Sequence, residues 1–304
     1  MTSYSQNLIL GIGCGVLDYI QVVDHFPRQN TKIHSRQAEL QGGGSAMNAL
    51  AALARWQAKT VAFTAVGDDA IGTQIVDSLQ IEGIDISVVQ RVSGRMSSLS
   101  SVFLHNSMRT VVGHYELEES LQAKSLPETI WPQVQLVHLD GHHGAAALEV
   151  ARIAKKHGAV VSLDGSHVFE STKKLLNDVD ILIASESFAA DLGIGGSPEQ
   201  QIKILKSQYP FKVLAITLGG KGVIYINESG EVEMAPAFKV PVVDTNGAGD
   251  AFHAGFLYAH LHNQSRSDAV KFGQAAAALK VQSFGARKGI PTLEMIEHFL
   301  QQYA

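Results

Sequence analysis

Phe238-Lys239-Val240-Pro241-Val242-Val243 leads into Asp244-Thr245-Asn246-Gly247-Ala248-Gly249-Asp250, which leads into Ala251-Phe252-His253-Ala254-Gly255-Phe256-Leu257-Tyr258-Ala259. The first run reads as extended chain held by a proline. The last puts Phe252, Phe256 and Ala259 on one helical face. The glycine-rich turn between them therefore opens a helix. A helix N-terminus points unpaired N–H groups and a partial positive charge at whatever sits there. Gly247, Ala248 and Gly249 offer those N–H groups almost without side chains, which suits an anion such as phosphate. Asp250 stands in the same turn, where the positive end favours a carboxylate able to accept a proton. Taken alone, the turn reads equally as a helix start capped by aspartate or as a tight turn.

Working outward, short apolar runs alternate with longer helical stretches. Strands are predicted over 8–12, 60–66, 136–139, 160–163, 181–184, 213–217 and 222–226. Helices are predicted over 46–57, 71–82, 145–157, 199–208, 250–262, 267–284 and 293–302. Continuous Val/Ile/Leu runs suit strands buried on both faces. Their alternation with helices predicts an α/β fold with a mainly parallel sheet. Residues 18–41 and 91–115 break the rhythm and read as hairpins with one wet face. They are predicted to form a small β-sheet set apart, suited to cover a site. Lys32, His34 and Arg36 alternate in the first of them, as they would along one strand face.

The chain of 304 residues carries a formal net charge of −5, with 45% hydrophobic and 17% charged residues. That is the composition of an ordinary soluble globular protein, and without a Lys/Arg-rich run nothing favours nucleic acid. Cys14 is the one cysteine, so an intrachain disulfide is impossible and a cysteine-based zinc site is not expected. The first apolar run is too short for a signal segment or a membrane span, and the expectation is a cytoplasmic protein without membrane contact.

The 244–252 segment resembles the C-terminal signature, D-T-x-G-A-G-D-x-F, of the ribokinase-like (PfkB) carbohydrate kinases. Other motifs along the chain agree. Gln41-Gly42-Gly43-Gly44-Ser45-Ala46-Met47-Asn48 is similar to the family's N-terminal signature. Val66-Gly67-Asp68-Asp69-Ala70-Ile71-Gly72 resembles its V-G-x-D-x-x-G stretch, and Thr217-Leu218-Gly219-Gly220-Lys221-Gly222 its nucleotide loop. The resemblance runs from Leu8 to Pro291. It implies a single domain over 1–304, a three-layer α/β/α body with a small β lid formed by 18–41 and 91–115. It implies ATP-dependent phosphorylation of a sugar hydroxyl, with Asp250 as base and Gly247, Ala248 and Gly249 as anion hole.

By the same resemblance the sugar meets Asp18, Gly43, Gly44 and Asn48. The nucleotide meets Ser185, Thr217, Gly219, Lys221, Gly222 and Gln274. Asp244 is the expected ligand of a monovalent cation such as K⁺. Asp140 and His142 follow a strand, at the end where α/β ligands bind, and Asp140 is taken as a sugar contact. Where the family has N-x-x-E for Mg²⁺, this chain has Ser185 and Phe188, so Mg²⁺ is expected to rest mainly on ATP phosphates, with Glu186 the nearby carboxylate. Residues 235–240, the Phe252-His253 pair and 289–291 lie nearest to ketohexose and sulfofructose kinases, and Lys32 stands near a sulfonate-facing lysine of the latter. Family lids often pair in a homodimer. Rival readings are a nucleoside kinase of the same family, a non-catalytic sugar or nucleoside sensor, and a nicotinamide dehydrogenase built on Gly11-Ile12-Gly13-Cys14-Gly15, whose spacing fits poorly.

Overall fold

The structure, a computed structural model, describes residues 8–303. Its main sheet has eight strands: β1 (Leu8–Ile12), β4 (Lys59–Phe63), β9 (Val134–Leu139), β10 (Val160–Gly165), β11 (Ile181–Ser185), β12 (Val213–Thr217), β13 (Gly222–Ile226) and β14 (Val232–Pro236). Their spatial order is β14-β13-β12-β11-β10-β9-β1-β4. The pairs from β12 to β4 are parallel, and β13 and β14 close the other edge as antiparallel strands.

Alternation along each strand feeds two cores. Leu10 and Ile12 of β1 face one core and Ile9 faces the other, as a two-residue period requires. The first face is covered by α3 (Gly144–Lys156), α4 (Thr172–Leu175), α5 (Phe188–Asp191) and α6 (Pro198–Gln208). The second is covered by α1 (Ser45–Arg55), α2 (Ala70–Ile81), α7 (Ala248–Leu261), α8 (Arg266–Lys280) and α9 (Leu293–Gln302). Helices on both faces of a parallel sheet make the three-layer body expected from the sequence.

α7 is apolar almost all round, because it is wedged between α1 and α8 as well as on the sheet. Where α7 crosses α8, a Cβ on Gly255 would stand 2.9 Å from the Cα of Gly273. That close approach sets the helix that carries the glycine-rich turn firmly against its neighbour.

A second sheet holds β2 (Val16–Val22), β3 (Gln37–Gly43), β7 (Leu99–His105) and β8 (Met108–His114) in the order β3-β2-β7-β8. Ile20, Val102 and Leu104 bury its inner face against Phe284. The turn between β7 and β8 is Asn106-Ser107, with φ of 49° and 62°, a left-handed pair suited to a two-residue hairpin. Every residue of β8 is exposed.

Several expectations need correction. The run 60–66 is broken at Thr64, and its end, β5 (Ala65–Gly67), pairs with β6 (Gln90–Val92) in a separate two-stranded sheet. Arg91 therefore lies outside the four-stranded sheet. Lys32, His34 and Arg36 lie in the connection between β2 and β3, not on a strand, so they share no face. Arg36 instead pairs with Asp24. α8 stops at Lys280 rather than running to Phe284. Gly11–Gly15 leads from β1 into β2, so no helix follows to receive a dinucleotide phosphate.

Candidate active site

The glycine-rich turn lies where the sequence put it. Gly247 is the N-cap of α7, with φ of 78°. A side chain there would be strained, and its Cβ would stand 2.8 Å from that of Ala286. The first N–H groups of α7 have no partner inside the helix. That of Ala248 leans back to the Thr245 carbonyl at 3.3 Å. A Cβ on Gly249 would meet nothing within 4 Å, because Gly249 borders a cleft of about 440 Å³.

Thr217, Gly219, Gly222, Ala248, Gly249 and Gln274 are among the residues that line the cleft. Gln274 is fixed there by donating its amide to the carbonyls of Ala235 at 2.9 Å and Pro236 at 3.2 Å. Two expected nucleotide residues are not on its wall. Lys221 turns outward to pair with Glu186 at 3.1 Å. Ser185 sits at the end of β11 beside Thr217 in register, its hydroxyl toward the Gly165 carbonyl.

Asp250 and Asn48, 202 positions apart, meet where α7 packs on α1: the Asn48 amide donates to the Asp250 carboxylate at 2.7 Å. Burial, and next the charge of Asp164, push the Asp250 carboxyl up to about 6, while the Asn48 bond and Arg109 pull the other way. Asn48 is held in turn by Arg287, whose Nε donates to its side-chain oxygen at 2.9 Å. The same guanidinium donates to Ser78 at 3.0 Å and to the Gly43 carbonyl at 3.2 Å.

Asp18 is buried and takes the Ser100 hydroxyl. Burial raises its carboxyl, and Ser100, Arg287 and Arg109 oppose that rise. A Cβ on Gly43 would collide with the Asp18 carboxylate, and one on Gly44 with the Cys14 carbonyl. Gly43 thus lets the end of β3 pass directly over Asp18, and Gly44 lets the chain turn past Cys14 into α1. Asp140 is buried too, but its oxygens accept the N–H groups of Ala46 and His142 at 3.3 and 3.2 Å. It joins β9 to the start of α1, one bond falling on each carboxylate oxygen.

The small sheet reaches the glycine-rich turn. At the β7–β8 turn the Ser107 hydroxyl donates to the Val242 carbonyl at 3.0 Å. Arg109 donates to the Thr245 carbonyl at 3.2 Å. These contacts tie β8 to the segment that enters the glycine-rich turn.

Sequence reasoning missed four residues. Arg109 follows a polar hairpin turn and Arg287 sits in the 284–291 loop beside Lys288, and only folding brings them to Asp18 and Asp250. Asp164, at the end of β10, is buried 3.5 Å from the Nε2 of His253 on α7. An acid at the carboxyl end of a parallel strand was the signal that could have found it. Lys280, wholly buried at the end of α8, donates to the Asp244 carbonyl at 2.8 Å.

Divalent-metal donors are thin. Phe188, in the place of the family's glutamate, is packed into the core, and Lys221 engages Glu186. Among the described residues no group of three or more His, Cys, Asp or Glu could hold a metal ion. No described helix is long and apolar enough to cross a membrane.

A family model described as pfkB family carbohydrate kinase matches residues 6–293. The chain belongs to the pfkB family of carbohydrate kinases. It is 30% identical to a ribokinase of Haemophilus influenzae, over 92% of this chain and 95% of that one. It is 28% identical to an ATP-dependent ribose-1-phosphate kinase of Halopiger xanaduensis, over 92% and 93%. In structure it is similar to Thermotoga maritima ribokinase, at TM-score 0.83 and 23% identity over 97% of this chain and 99% of that one. It is also similar to Arabidopsis thaliana ribokinase complexed with ribose and ATP, at TM-score 0.79 and 23% identity over the same shares. None of these names a ketohexose, so the likeness to ketohexose kinases stays a matter of short motifs. As a pfkB carbohydrate kinase the chain is a phosphotransferase; Ala248 and Gly249 of the glycine-rich turn line the cleft, and Asp250, next in the same helix, accepts the Asn48 amide.

Proposed function

We propose that the chain transfers the γ-phosphoryl group of ATP to a hydroxyl of a small sugar of the pentose class. The observation that carries this is the Asn48–Asp250 hydrogen bond beside the open first turn of α7. A base and an anion site stand in one turn, as in-line phosphoryl transfer needs. The sugar lies over Asp18, Gly43, Gly44 and Asn48, and ATP fills the cleft beside Thr217 and Gln274.

Asp250, with its carboxyl near 6, is mostly ionised at neutral pH and accepts the hydroxyl proton. The freed oxygen attacks the γ-phosphorus, the bond to the bridging oxygen breaks, and ADP leaves. The N–H groups of Gly247, Ala248 and Gly249 hold the charge that develops. Mg²⁺ held by the ATP phosphates would supply further positive charge there. The small sheet, tied through Ser107 and Arg109, acts as a lid that excludes water and limits hydrolysis of ATP. The unpaired edge of β8, with Val111 and Val112 exposed, pairs with that of a second copy. The reaction takes place in the cytoplasm.

The test is ADP release on a panel of ribose, deoxyribose, ribose 1-phosphate, fructose and nucleosides, with native protein and Asp250→Asn. Native protein is expected to turn over a pentose, and Asp250→Asn to lose about 10²–10⁴-fold in kcat while still binding the sugar by calorimetry. Sugar binding without ADP release from native protein would make the chain a sensor instead.

A further inference from the structure

Both carboxylate oxygens of the expected K⁺ ligand, Asp244, are already engaged by backbone donors, and a fixed ammonium lies beside them. One carboxylate oxygen accepts the N–H of Asn246 at 2.8 Å and the other accepts that of Gly285 at 2.8 Å. Its carbonyl accepts the Lys280 ammonium at 2.8 Å. That ammonium also lies 3.5 Å from the Ser283 carbonyl and 3.9 Å from the Asp244 carboxylate.

Lys280 is wholly buried, as is Asp244. A lysine is almost never placed so without a purpose for its charge. Its surroundings are those of a small monovalent ion: two carbonyl oxygens and a carboxylate, between the 244–247 turn and the 283–289 loop. The same two loops meet at Gly247, whose Cα faces Ala286. Positive charge here lies behind the N–H groups that hold the transferring phosphate, and an ammonium and a K⁺ ion are close in size.

We infer that Lys280 is a tethered cation: it supplies to the anion-hole turn the charge that a monovalent ion would bring, so the enzyme needs no added K⁺. Burial draws the lysine's pKa down to about 8, and the Asp244 charge works against that fall. Lys280 is a positioning residue that acts through the 244–249 turn. The inference rests on the anion-hole reading above, so its test has one arm that needs no catalysis.

In that arm, melting temperature is compared in potassium chloride and choline chloride at equal ionic strength. Native protein is expected to melt alike in both. Lys280→Ala is expected to melt lower in choline, with saturable recovery in K⁺ or NH₄⁺. In the second arm, kcat for ADP release is expected to be the same for native protein in either salt. It should fall about ten- to a hundred-fold for Lys280→Ala in choline, somewhat less than the loss on removing a direct anion-hole donor, and return on adding K⁺ or NH₄⁺.

A merely structural lysine would not produce rescue by a small cation. K⁺-dependent melting or K⁺ activation of the native protein overturns the inference, as does a Lys280→Ala protein indifferent to K⁺ in both arms. Should Lys280→Ala fail to fold in any salt, Lys280→Met and the native comparison decide by the same criteria. Absence of kinase activity in every salt, with the melting arm as expected, refutes the catalytic reading and leaves the cation assignment standing.

Discussion

Replacing Asn48 by leucine keeps the side-chain size nearly constant and removes the amide that donates to Asp250 at 2.7 Å. The carboxyl already stands near 6 because burial and Asp164 outweigh that bond. A hydrogen bond to a charged group contributes about 1.5–3 kcal/mol. One pKa unit corresponds to about 1.4 kcal/mol, so losing the bond moves the carboxyl up by about one to two units, to roughly 7–8. The assay is kcat/KM for the sugar against pH, which reports the free enzyme's essential base. Native enzyme is expected to lose activity below pH 6 with unit slope, because the proton then occupies the base. In Asn48→Leu the same limb should begin at about 7–8, so activity missing at pH 7 returns by about pH 9. Loss of a sugar contact would lower the profile without moving it, so position and height separate the two roles of Asn48. A native limb near 4, or an unmoved limb in Asn48→Leu, would refute the assignment of Asp250 as a buried base held by Asn48.

Gly249→Ala should melt like the native protein, since its Cβ meets nothing within 4 Å, yet raise KM for ATP and lower kcat as the methyl enters the cleft. Gly247→Ala should instead lose about 1–3 kcal/mol of stability by chemical denaturation, from left-handed strain at an N-cap. Arg287→Met should lower kcat/KM at least about tenfold, because an unpaired Asn48 and Gly43 carbonyl lose their register, with circular dichroism checking the fold. Stability should fall from pH 6.5 to 5 in melts. Burial holds His138 near 3 and His143 near 4, so the unfolded chain binds more protons there, costing about 1.4 kcal/mol per pH unit for each histidine. Asp250, raised to about 6, and Asp18 and Asp140, also raised by burial, work the other way by binding protons first in the folded state, while His253 and His260, lowered by burial, add to the loss.

Local patterns in the chain set its local structure. β1, β12, β13 and α9 have the bounds that their apolar runs and caps predict, since strand burial and helix periodicity are written in neighbouring residues. The turn at 244–250, the glycine that passes over Asp18 and the glycine turn at 219–222 were also legible, because backbone geometry there demands particular residue types. What those patterns could not carry was commitment of polar groups. That Asp140 accepts two backbone amides, and that Lys221 pairs with Glu186, depends on neighbours far along the chain. Arg287 reaches Asn48 across 239 positions and Lys280 reaches Asp244 across 36. A lysine at the end of a helix reads as solvated until packing buries it. Only the tertiary structure buries it against Asp244 behind the glycine-rich turn, because burial and pairing are properties of the assembled loops and not of any one segment.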